Sequence, residues 1–248
     1  MTESMRMWVE IIFNITYLIV IWGLVIAMIL RRPSVALADR RAADLVIWAF
    51  ALLALGDTGH VGFRVWAYSQ GSLETTVQVF GQAVGLVGLG ALATAFTVTL
   101  FYVLMLELWR VRFHKRYGAF EYLLLAMAGL RLLMMLLPQN DWNAVVPPQP
   151  WSTLRNLPFT ILGLGVAYLM LRDGRRAGDR AFQWIGAMIL VSYACYIPVI
   201  LFVQQAPMVG MLMIPKTLAY VAVGFIAYGE LFRPRPADAN QSLRQSTV

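Results

Sequence analysis

LVIWAFALLALGDTGHVGFRVWAY, residues 45–68, decides how this chain is read. It is long enough to cross a bilayer as a helix, because about 20 mainly apolar residues span a ~30 Å hydrocarbon core. Yet it carries Asp57, His60 and Arg64. Spacings of three and four put all three on one helical face. A charge near the bilayer centre costs at least ~2.5–3.5 kcal/mol on insertion scales, so such residues turn inward and seek partners. The stretch therefore predicts a membrane helix whose polar face looks into a bundle. Gly56, Gly59 and Gly62 lie between the polar residues, and small side chains predict a closely packed neighbour.

The rest of the chain fits that reading. Of 248 residues, 60% are hydrophobic and 13% charged, against about 25% charged in a soluble domain. Apolar runs long enough to span occur at about 8–30, 43–67, 77–108, 119–137, 157–171, 181–203 and 208–231. The expected fold class is all-α: a polytopic bundle of seven transmembrane helices, with residues 1–232 as one domain and 233–248 as a disordered cytoplasmic tail. The first run lacks a basic leader, and Arg31 and Arg32 follow it where a small-residue cleavage site would sit, so it is expected to remain as a helix. Gly81, Gly85 and Gly88 recur at helical spacing and predict packing inside the third span. The prolines of 138–158 predict an irregular outer loop, with Trp142 and Trp151 at the membrane interface.

Orientation follows from the basic residues. Arg31, Arg32, Arg40 and Arg41 follow span 1; Arg110, Arg112, Lys115 and Arg116 follow span 3; Arg172, Arg175, Arg176 and Arg180 follow span 5; Arg233, Arg235 and Arg244 follow span 7. The excess of Lys and Arg on cytoplasmic loops then predicts the N-terminus outside and the C-terminus in the cytoplasm of a multi-pass cell-membrane protein. The net charge of +7 is used up in those loops, against anionic lipid, and a nucleic-acid partner is not expected. One cysteine and two distant histidines leave no set of metal ligands at working spacing, and no motif names a cofactor.

The polar residues inside the spans concentrate in the outer half. Besides Asp57, His60 and Arg64 they include Glu10 and Asn14 in span 1, Gln78 and Gln82 at the opening of span 3, Arg131 in span 4, and Arg155 and Asn156 at the mouth of span 5. Tyr193 and Tyr196 lie in span 6 and Lys216 in span 7. Pro215 precedes Lys216 and is expected to kink the last helix there. The pattern predicts one polar cavity lined by Asn14, Asp57, His60, Arg64, Gln82, Arg131, Tyr193, Tyr196 and Lys216. Cations outnumber acids, which favours membrane lipid or another small amphipathic or anionic ligand, such as an isoprenoid. The opposing expectation is a purely structural network in which Asp57 pairs with Lys216 or Arg131.

Two alternatives share those residues. A membrane-embedded enzyme would use Asp57, His60 and Lys216 for acid–base chemistry on a lipid. Seven spans, an external N-terminus and a lysine in the last span also resemble retinal-binding rhodopsins, as does SYACYIP, residues 192–198, in span 6. That likeness implies a chromophore on Lys216. Span 3, however, lacks the Arg and carboxylate of that family, and Leu212 stands where an acid would precede the lysine by one turn.

Overall fold

The computed structural model describes residues 3–79 and 81–233, without the side chains of residues 3–7 and Glu10. The expected tail beyond Arg233 and the Glu10 side chain lie outside the described residues. Seven α-helices follow one another: α1 (Glu3–Arg31), α2 (Arg40–Ser69), α3 (Leu86–Arg112), α4 (Ala119–Met135), α5 (Trp151–Ala177), α6 (Arg180–Phe202) and α7 (Met213–Leu231). All but α4 are long and apolar enough to cross a membrane. Their outward faces are apolar, including Ile12, Ile19, Trp48, Leu133, Tyr168 and Trp184. The interior is aromatic as well: Phe50, Phe101, Tyr102, Phe159 and Tyr193 are fully buried and stack edge to face in a continuous series.

Three expectations need correction. Residues 77–85 do not extend α3. They form a hairpin of β1 (Thr76–Val79) and β2 (Gln82–Gly85), paired antiparallel from Thr76 opposite Gly85 to Val79 opposite Gln82. TVQV and QAVG alternate with the period of a strand, and Gly81 takes the turn at φ 81°, a conformation open to glycine. Gln82 is exposed on this hairpin, and Gly85 and Gly88 back onto the 142–143 loop rather than a helix. Next, α5 begins at Trp151 in spite of Pro158. Its first turns are braced by side chains: Asn156 Nδ2 donates to the Ser152 carbonyl (2.8 Å), and Thr160 Oγ1 donates to that of Asn156 (2.9 Å). Finally, Pro215 lies in the first turn of α7, where its missing N–H breaks no bond of that helix, so the carbonyl expected to be freed in mid-helix precedes α7 instead.

The closest helix pair is α2 with α3. A Cβ on Gly90 would stand 2.8 Å from the Cα of His60, and one on Gly56 would overlap the Thr97 side chain. The expected close approach thus occurs at Gly56, and at Gly59 against Ala93, whereas Gly62 faces open space. This contact fixes the height and rotation of Asp57 and His60.

At the arginine-rich end, cations are matched by carboxylates. Arg112 on α3 reaches Asp179 (2.8 Å), Glu230 (2.7 Å) and Asp39 (3.5 Å), from three other parts of the chain. Asp179 also caps α6 by accepting from the Phe182 N–H, directly after Gly178 closes α5 at φ 68°, so two residues turn the chain from one helix into the next. Glu107 accepts from Arg41 and Tyr117. Burial and that carboxylate push the Tyr117 hydroxyl up to about 12. Buried Asp173 takes Arg172, Lys115 and the Trp109 indole.

Arg112→Ala strips one cation from three carboxylates. The expected cost is about 2 kcal/mol in detergent, below the roughly 3–5 of a fully buried pair because these groups are partly wet. Exposed Arg175→Ala should stay within about 0.5 kcal/mol of the parent. Equal denaturation midpoints for the two variants would contradict the clasp.

Candidate functional site

The opposite, hairpin end is built differently. Arg131 comes from the last turns of α4, Arg155 and Asn156 from the first turns of α5, Tyr193 and Tyr196 from α6, and Lys216 and Tyr220 from α7. Spacings of three on α6 and four on α7 aim each pair at the same neighbours. Arg131 is only 3% exposed. Its guanidinium lies flat on the Phe159 ring at 3.6 Å, and its one hydrogen bond runs from Nη2 to Asn156 Oδ1 at 3.5 Å. Nε and Nη1 are enclosed and meet no acceptor. Tyr196 donates to the same Asn156 oxygen (3.1 Å), which leaves that oxygen shared.

Its neighbours repeat the pattern. Buried Arg155 donates to Asn140 Oδ1 (3.2 Å) and lies 4.2 Å from the Trp142 ring. Lys216 Nζ sits 4.9 Å from the Tyr196 ring and 5.3 Å from that of Tyr220. Tyr220 pairs its hydroxyl with Tyr102 at 2.9 Å, and Tyr193 donates to the Phe159 carbonyl at 2.9 Å. Ser192 Oγ is enclosed beside the Tyr220 hydroxyl. Among the described residues no carboxylate lies within 4.0 Å of Arg131, Arg155 or Lys216.

Magnitudes decide what this means. A desolvated cation–π contact is worth roughly 2 kcal/mol. Removing a guanidinium from water costs several kcal/mol per ion after relaxation, and each enclosed N–H without an acceptor adds about 1–3. The aromatic box offsets only part of the cost. What remains is a set of donors that outnumber their acceptors among the described residues.

Asp57 makes no direct ion pair with these cations, although its charge is felt at Lys216 over a longer distance. Its two carboxylate oxygens accept from Tyr17 on α1 (2.6 Å) and Thr94 on α3 (2.6 Å). The expected ion pairs to Lys216 or Arg131 are not formed. Nor does a hydrogen bond join Asp57, His60 and Lys216 among the described residues, although the charges of Asp57 and Lys216 are both felt at His60.

The remaining candidates separate from this cluster. Asn14, His60 and Arg64 line a crevice between α1 and α2, together with Ile11, Val61, Val65 and Tyr68. Gln82 belongs to neither place. The residues expected to line one cavity thus fall into a buried cluster among α4, α5, α6 and α7 and a lateral crevice at α1 and α2. Sequence reasoning missed Tyr17, Thr94, Phe159, Tyr102 and Tyr220. Three carried a signal, since Tyr17 follows Asn14 by three, Phe159 follows Asn156 by three, and Tyr220 follows Lys216 by four.

If Arg131 is a receptor group and not a prop, an apolar replacement of similar length relieves an uncompensated charge. Arg131→Met should leave the denaturation midpoint of delipidated protein unchanged or raise it, by up to about 1–4 kcal/mol. A fall of more than about 1 kcal/mol would show that the guanidinium holds the bundle together.

No family model, no curated protein and no solved structure matches the chain.

Proposed function

We propose that this is a seven-span membrane protein that binds a small anionic amphiphile, of lipid or isoprenoid type, in the hairpin half of its bundle. The observation that carries the reading is Arg131: enclosed, and with two nitrogens, Nε and Nη1, that meet no acceptor or carboxylate among the described residues. The anionic head meets Arg131 and reaches toward Lys216, and the apolar tail lies along the aromatic interior. Arg155 adds positive potential from the loop side.

Counting α4 as the seventh span has its own support. Lys115, just before α4, reaches Asp173 near the end of α5 (3.7 Å), and Arg155 near the start of α5 reaches Asn140 just after α4. The two ends of α4 therefore sit at opposite ends of the bundle, and its 17 residues cover about 25 Å. With the arginine-rich loops in the cytoplasm, the hairpin and the Arg131 cluster belong to the outer half, and ligand arrives from the outer leaflet or the outer aqueous face.

The test is native mass spectrometry of the full chain, purified in mild detergent. Wild type should retain a lipid-sized mass, and Arg131→Met should lose it while still folded. Lys216→Met should weaken retention by about tenfold, the equivalent of ~1.4 kcal/mol. If folded Arg131→Met keeps the same mass at the same occupancy, the anion-receptor reading is wrong. A mass that survives denaturation and maps to Lys216 would support the rhodopsin-like alternative instead.

A further inference from the structure

The crevice between α1 and α2 shares no lining residue with the Arg131 cluster and has a different character, although the charge of Lys216 is felt at His60. It is a shallow notch that encloses about 20 Å³, roughly the room of one water, before it opens sideways. Ile11 and Asn14 form one wall, and His60, Val61, Arg64, Val65 and Tyr68 form the other. Three observations point to an occupant. His60 Nδ1 is enclosed and has no hydrogen-bond partner. Arg64, one turn further along the same face, has no carboxylate of a described residue within 4.0 Å. The surroundings are apolar and exposed: Val65 is 40% exposed inside the crevice, and Trp66, Ile12 and Ile15 are exposed around it. A polar notch opening sideways through an apolar flank faces bilayer when the protein is embedded.

The polar groups suit a phosphate. Arg64 offers a planar set of N–H donors that match oxyanion geometry. The Asn14 amide and the Tyr68 hydroxyl add neutral donors, and the imidazole of His60 donates from one nitrogen in its neutral form and from both when protonated. Ile11, Val61 and Val65 give the notch an apolar lining against which acyl chains pack. The wall is also rigid where it matters, because the Gly90 contact holds the His60 backbone at a fixed distance from α3.

We propose that this crevice is a second site, which takes the phosphate of an anionic bilayer lipid sideways from the membrane. It does not depend on the Arg131 reading, since no residue is shared between the two.

The experiment titrates the full chain in neutral detergent and counts bound adducts by native mass spectrometry. The probes are dioleoyl phosphatidylglycerol, dioleoylglycerol with the same tails and no phosphate, and inorganic phosphate. Phosphatidylglycerol should bind and dioleoylglycerol should not. Arg64→Gln should weaken the phosphatidylglycerol event by about tenfold, and exposed Arg175→Gln at the arginine-rich end should leave it unchanged. Asn14→Ala, a milder change on the opposite wall, should weaken it several-fold and decides the matter if Arg64→Gln does not fold. Equal binding by wild type and folded Arg64→Gln, or by both lipids, overturns the site. Displacement of the lipid by millimolar inorganic phosphate would overturn the lipid as the source. Loss of phosphatidylglycerol in Arg131→Met alone would place the binding in the other cluster and overturn this one.

Discussion

Taking a guanidinium out of water costs several kcal/mol unless charges or acceptors replace its hydration, and the two ends of this bundle meet that constraint in opposite ways. At the arginine-rich end Arg112 gathers Asp39, Asp179 and Glu230, and Asp173 and Glu107 collect the neighbouring cations. Those contacts tie α2, α3, α5, α6 and α7 at one level. At the hairpin end Arg131 rests on Phe159 and Arg155 on Trp142. The aromatic interior that runs between the two ends serves both: it packs the helices and supplies the ring faces on which the unpaired cations lie.

The hairpin end is held shut by polar contacts of a different kind. The Asn143 side chain accepts from the Gly85 N–H at 2.8 Å, and the Trp142 carbonyl packs against Gly88. Asn140, buried between them, donates to the carbonyls of Met134 and Leu137 and accepts from Arg155. The 138–150 segment is therefore anchored to α3, α4 and α5. It has the position of a lid and the bonding of a plug.

Helix number and depth were legible in the sequence because both are one-dimensional. Apolar run length located each helix, and distance from a helix end placed Asp57, Arg131 and Lys216 in the same half. Rotation about the helix axis was not legible. Asn14, His60 and Arg64 share a depth with Arg131 but face a different gap, which only the packing of α2 on α3 through Gly56 and Gly90 determines. Local signals misled where they were weighed by residue type alone. Pro158 and Pro215 were read as breakers, yet one is braced by side chains and the other lies in a first turn. Val77, Val79 and Val84 added hydropathy to a run whose period was already that of a strand. Asp57 was matched to lysine and arginine because charge suggests charge, and two hydroxyls already satisfied it.

The contact between Arg131 and Phe159 carries a kinetic consequence. A carboxylate partner would occupy the in-plane N–H edges of the guanidinium, and an incoming anion would have to break that pair before forming its own. A ring face holds the cation from above and occupies none of those edges. If an anion binds there as proposed, its exchange needs no ion pair to dissociate, and passage through the bundle wall, not competition at the arginine, would set the rate.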